Sequence, residues 1–156
     1  MSKWEFTLNE KAIPKARSRH TSFNGISRHY TPATTVKFES MIGKEALKHI
    51  TVPSAKPVHL GVRFAFAMSK STPKYYKENY MFLSHTIKPD LDNLLKSVKD
   101  GLNGVAWVDD SQVVLIRAVK VFAPEDSITI QIVESSKLPF VKRLKDTFLK
   151  LIGKHE

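Results

Sequence analysis

The stretch KPDLDNLLKSVKDGLNGVAWVDDSQVV, Lys88 to Val114, decides how the middle of this chain folds and holds its least expected chemistry. Leu91, Leu94, Leu95, Val98 and Leu102 recur at helical spacing, which predicts a helix with one buried stripe. Gly104 stands where a left-handed residue ends a helix, and Pro89 precedes its start. Four carboxylates, Asp90, Asp92, Asp109 and Asp110, bracket that helix in a chain whose net charge is +10. Either they cap and solvate local structure, or they hold something positive.

Spacing separates these readings in part. Two residues apart on a helix, side chains diverge, whereas in extended chain they share a face about 7 Å apart, within reach of one ion. Pro89 biases Lys88 toward extended geometry, so Asp90 is expected to enter extended with Asp92 as the helix N-cap. Asp109 or Asp110 would add a third carboxylate from the turn that feeds a strand at Val113. Carboxylates without sulfur or an adjacent His favour a hard ion, Mg²⁺ or Mn²⁺. Lys96, one turn beyond Asp92, could offset charge on a phosphate in the same cleft or could form only an exposed pair with Asp92. Asp100, near the other end of the helix, is expected to be solvated, and His85 to be a loop residue or phosphate contact.

Working outward, Val58, Leu60, Val62, Phe64, Phe66 and Met68 alternate as in a half-buried strand, and Trp4, Phe6 and Leu8 do so near the start. A helix capped by Thr34 or Thr35 and running to about His49 would bury Phe38, Met41, Ile42, Ala46 and Leu47. Val113 to Phe122 and Ser127 to Val133 read as an antiparallel hairpin turning at Pro124 to Asp126. Phe140 to Ile152 has the apolar spacing of a last helix. The sum is one α/β (α+β) domain over residues 1–156, a small mixed sheet packed with helices.

Composition narrows the partner. Lys and Arg number 25 against 15 Asp and Glu, which favours a polyanion. Lys11, Lys15, Arg17, Arg19 and Arg28 crowd a segment expected to be a basic loop, and Lys74, Lys77 and Lys88 recur in a second long one. Tyr75, Tyr76 and Phe82 of that second loop would either pack it against the sheet, the reading preferred from sequence, or stack on unpaired bases. The absence of cysteine removes disulfides, thiolate catalysis and Cys-ligated zinc. No apolar run approaches a membrane span, so a soluble, cytoplasmic protein is expected. A Walker GKS/GKT, GxGxxG and GxSxG are all missing, and an EF-hand loop from Asp90 would meet Leu94, Leu95 and Gly101 where oxygen, Gly and Glu are required.

At these residues the sequence resembles the RusA family of Holliday junction resolvases. The quoted stretch is similar to the family's D-x-D-N-x-x-K, D-x-L and D-D-x-x-V signature, and IPKARSRH with HYTPATTVKFE to its N-terminal region. The likeness reaches to about Lys120 and implies a RusA-like mixed sheet. It implies that Asp90, Asp92 and Asp110 bind metal, with Asp109 a possible ligand, and that Lys96 is the catalytic lysine. It further implies a Mg²⁺- or Mn²⁺-dependent homodimeric endodeoxyribonuclease that cuts paired strands of a four-way junction. Two other functions stay open: a branched-DNA-binding protein that never cuts, and a nuclease of flaps or replication forks.

Overall fold

The computed structural model describes residues 2–16, 19–23, 26–79 and 84–135. Arg17, Phe82 and the helix expected from Phe140 to Ile152 lie outside the described residues. The strands are β1 (Lys3–Leu8), β2 (Arg19–Phe23), β3 (Ile26–Tyr30), β4 (Val58–Ala67), β5 (Val113–Ala123) and β6 (Ser127–Glu134). The helices are α1 (Ala33–Leu47), α2 (Lys74–Glu78) and α3 (Leu91–Leu102), with a 3-10 turn at Asp110–Gln112.

Period-two alternation builds the main sheet. Phe6 and Leu8 of β1, Val58 to Phe66 of β4, and Ile128, Ile130 and Ile132 of β6 turn toward one buried cluster. α1 adds Phe38, Ile42 and Ala46 to that cluster, and α3 adds Leu94, Val98 and Leu102. The opposite sheet face is polar at its β1–β6 side, where Thr7 meets Thr129 at 3.1 Å and Glu5 accepts from Gln131 at 3.0 Å. The result is a mixed α+β layer, helices on one face of a four-stranded sheet, as the patterning predicts.

The strand order is β1-β6-β4-β5, with β4 parallel to β5 and antiparallel to β6. The expected β5–β6 hairpin is therefore corrected: β4 lies between the two strands. The parallel pair needs a long crossover, and α3 lies in it. The return to β6 then crosses the end of β4, where Ala67 N donates to Asp126 Oδ1 at 3.0 Å and Met68 N to Ala123 O at 3.2 Å. Four Cα steps, reaching up to about 14 Å, suffice for two strand spacings of roughly 10 Å.

α1 and α3 meet through glycine. A Cβ on Gly101 would lie 2.7 Å from the Glu39 carbonyl oxygen, and one on Gly43 would lie 3.0 Å from the Gly101 oxygen. Two expectations for α1 are corrected. Its N-cap is Pro32 without a side-chain cap bond, Thr35 being buried instead, and Leu47 is exposed because it falls past the stripe that faces the sheet. The expected basic loop contains a second, two-stranded sheet, β2–β3, in which Arg19 pairs with Tyr30 and Arg28 with Thr21.

Candidate active site

β5 organises the approach to α3. Ser84 bridges Val121, His85 N donates to Lys120 O at 3.0 Å, and the Lys120 ammonium donates to Ile87 O and Pro89 O, each at 2.6 Å. The turn that delivers Asp90 is thereby tied to the sheet by one side chain. Asp90 is extended, φ −72° and ψ 142°, and is itself the N-cap residue, its carbonyl accepting from Leu94 N at 3.2 Å. This corrects the expectation for Asp92, which lies in the first helical turn because the helix begins two residues earlier. Both side chains are exposed, and among the described residues neither carboxylate has a hydrogen bond or ion pair.

Asp109 and Asp110 have different work. The Asp109 carboxylate accepts from Ser111 N at 2.8 Å while its own N–H donates to Gln112 Oε1 at 2.8 Å, a reciprocal cap of the 3-10 turn. Hydrogen bonding from Ser111 holds its pKa below the ordinary value. Asp110 turns toward α3: the fully buried Trp107 donates its Nε1–H to Oδ1 at 2.9 Å, and Lys99 pairs with Oδ2 at 3.1 Å. Trp107 is fixed in turn by Gly104, whose φ of +74° lets its N–H reach Trp107 O at 2.8 Å.

Lys96 is exposed, one turn from Asp92 on the same face, and Lys99 continues that face. Asp110, held at Lys99, consequently stands about two turns, roughly 10 Å, along α3 from Asp92. Among the described residues no three His, Asp or Glu side chains group as they would around an ion. The donors nonetheless suit a hard cation: two carboxylates without a partner among the described residues, at the positive end of a helix, with a third on its flank. They fit Mg²⁺ or Mn²⁺ at Asp90 and Asp92, while Asp110 is engaged by Lys99 and Trp107.

A groove of about 550 Å³ opens beside this helix end, with Lys11, Ile13, Pro14, Lys88, Pro89 and Asp90 in its wall. Lys11 and Lys88 are exposed there. Lys15 lines the same groove yet is engaged inside the fold, at 2.6 Å from both Glu39 Oε1 and Asp100 Oδ2. Its charge is engaged by α1 and α3. Asp100 is accordingly an ion-pair member and not the solvated residue expected.

His85 is 6% exposed and its ring stacks on Phe66 at 4.4 Å and lies against Phe122 at 4.7 Å. Burial, then the Lys120 charge, lowers its pKa, so it sits neutral in an aromatic slot: of its two expectations, loop residue or phosphate contact, it is the loop residue. Tyr75 and Tyr76 are 69% and 46% exposed, against the preferred reading that they pack on the sheet. Lys74 pairs loosely with Glu78 at 3.5 Å, and Lys77 donates to Lys70 O at 2.8 Å.

Sequence reasoning missed Lys99, Trp107 and Lys120. Lys99 had a signal, three residues beyond Lys96 on one helical face. The β2–β3 pairing had one too, since Asn24-Gly25 lies between Phe23 and Ile26. Lys120 had none, its carbonyl partners lying about 30 residues away.

Comparison with known proteins bears on this arrangement. The family described as Endodeoxyribonuclease RusA matches residues 10–133, from just before Lys11 to near the end of β6. The uncharacterized protein YqaN of Bacillus subtilis (strain 168) is 31% identical over 137 residues, covering 85% of this chain and 96% of that protein. No helix among the described residues is long and apolar enough to cross a membrane.

Proposed function

Because this chain belongs to the RusA family of endodeoxyribonucleases, we propose that it is a Mg²⁺-dependent, structure-selective nuclease that cuts four-way DNA junctions in DNA recombination and repair, in the cytoplasm, with Mn²⁺ able to substitute. The observation that carries the reading is the pair of carboxylates, Asp90 and Asp92, without a partner among the described residues, at the N-terminus of α3 beside a groove walled by Lys11 and Lys88. A net charge of +10 draws the polyanion in, and this acidic point is where a cation would be kept.

When bound, the ion supplies an activated water and neutralises the scissile phosphate. Asp90 and Asp92 would hold it, with Asp110 the third carboxylate if released from Lys99. Asp109 stays with its turn. Lys96, one turn from Asp92, faces the phosphate and stabilises the charge that builds on it during in-line attack. Lys11, Lys88, Lys74 and Lys77 contact the sugar-phosphate backbone without reading sequence, and Arg17, Arg19 and Arg28 join them on the strength of the basic sequence alone. A two-fold homodimer would present two equivalent sites to a two-fold junction, so that paired strands are nicked.

The test is cleavage of a mobile four-way junction with mapped cut sites, beside three-way and duplex substrates. Asp90→Asn and Asp92→Asn are each expected to lose at least about 100-fold in rate while still binding the junction in EDTA. Undiminished cutting by either variant at matched Mg²⁺ overturns that residue's assignment. Junction binding by the parent protein with no products in Mg²⁺ overturns the nuclease reading in favour of a binding protein.

A further inference from the structure

Between the end of β4, α2 and the end of β5 lies a small apolar cavity of about 250 Å³, lined by Met68, Thr72, Tyr76 and Phe122. Its rim is aromatic and open: Tyr75 and Tyr76 meet edge to face with centroids 5.6 Å apart, and both reach solvent. An exposed tyrosine pair on a five-residue helix with no buried residue contributes nothing to the core. Lys70, Lys74 and Lys77 flank Thr72 and Tyr76 in the chain and are all exposed, while Glu78 pairs with Lys74 and Asp126 accepts from Ala67 N beside Met68.

The cavity is tied to the candidate active site through β5. Phe122 lies two residues beyond Lys120, hence about 7 Å along the same face of the strand. The Lys120 ammonium grips Pro89 O, one residue before Asp90. His85 completes the link by stacking between Phe66 and Phe122. Lys120 and His85 thus connect the cavity wall at Phe122 to the turn that delivers Asp90.

We propose that the Met68, Thr72, Tyr76 and Phe122 cavity receives one unpaired nucleobase of the DNA, stacked on Tyr76, while Lys70, Lys74 and Lys77 hold the phosphates beside it. The occupant follows from chemistry: a flat apolar ligand with attached negative charge matches an aromatic slot ringed by ammonium groups. A base inside an intact duplex is stacked and paired and cannot enter, whereas a base at a branch point has lost part of that stacking. The cavity thus favours branched over duplex DNA without reading sequence. This inference rests on the nuclease reading for its substrate.

The experiment measures binding of a four-way junction and of duplex DNA of the same sequence in EDTA, and junction cleavage in Mg²⁺. Tyr76→Ala is expected to lose about 10-fold in junction affinity, the effect of one lost base stack, with duplex affinity unchanged. Tyr76→Phe is expected to stay within about 2-fold of the parent, and Lys74→Ala to weaken both substrates alike. A thermal melt of each variant separates loss of fold, and Tyr76→Leu, which keeps apolar bulk without a ring, repeats the comparison if the alanine variant melts early. Equal loss on junction and duplex, or loss on neither, overturns the proposal. If the parent cuts junctions but Tyr76→Ala binds them undiminished, this inference fails and the nuclease reading stands. If the parent never cuts yet its junction preference depends on Tyr76, the reverse holds.

Discussion

Replacing Lys15 by Met should destabilise the fold and leave DNA affinity almost untouched, the opposite of what its place in a basic segment suggests. Its ammonium lies 2.6 Å from oxygens of Glu39 on α1 and Asp100 on α3, and the three side chains are 21%, 17% and 32% exposed. Since both oxygens lie 2.6 Å from one nitrogen, they are within about 5 Å of each other, and removing the cation leaves two carboxylates facing. Their repulsion is about 1 kcal/mol with the dielectric of water and about 3 kcal/mol with that of a protein surface. Two hydrogen bonds to charged groups vanish as well, worth about 1.5–3 kcal/mol each in full burial and less where water reaches the carboxylates. The net loss is about 2–4 kcal/mol, or roughly 4–16 °C in Tm for a chain of this size.

Burial opposes the Lys15 charge, but the hydrogen bonds and charges of Asp100 and Glu39 outweigh it and raise the pKa above the ordinary 10.5. A raised folded-state pKa gives stabilisation that is complete below the unfolded value and is lost as pH rises through the folded one. The gap between parent and Lys15→Met should therefore be level through neutral pH and narrow only above about 10.5. Urea or thermal unfolding measures it, and adding Asp100→Asn should restore part of the loss. DNA affinity against salt is the control: Lys88→Met should reduce the salt slope by about 1 and Lys15→Met should not. An unshifted Tm with a reduced slope in Lys15→Met would refute the reasoning and return Lys15 to the DNA surface.

Gly101→Ala should lose about 1–3 kcal/mol in chemical unfolding although alanine favours helix, because its Cβ would meet the Glu39 carbonyl at 2.7 Å; a stabilised variant would show that α1 and α3 can part freely. Lys120→Met should free the 87–89 turn and weaken Mn²⁺ binding, read by calorimetry, about 10- to 100-fold, with Lys120→Arg recovering part; unchanged binding in the methionine variant would show that the turn holds Asp90 without it.

Much of this protein is local and was legible in its residues. The stripe Leu94, Val98 and Leu102, the alternation of β4 and β6, and the Gly104 terminus follow from periods of 3.6 and 2 and from one positive φ. The signature carboxylates and lysine could be nominated because their spacing lies within one helix and its flanks. Topology could not be read this way. A three-residue connection between two strands looks the same whether they pair or straddle a third, and only the parallel return through α3 puts β4 between β5 and β6. Charge was equally ambiguous: Lys15, Lys99 and Lys120 look like any other lysines, and partners far along the chain separate an internal clip, a carboxylate's companion and a loop anchor from Lys11 and Lys88 at the groove. The sequence by itself determined which residue types could hold a cation and meet DNA, since those are properties of side chains and short spacings. Tertiary structure alone decided which charges are already spent inside the fold, because an ion pair or an anchored carbonyl depends on distances that only packing sets.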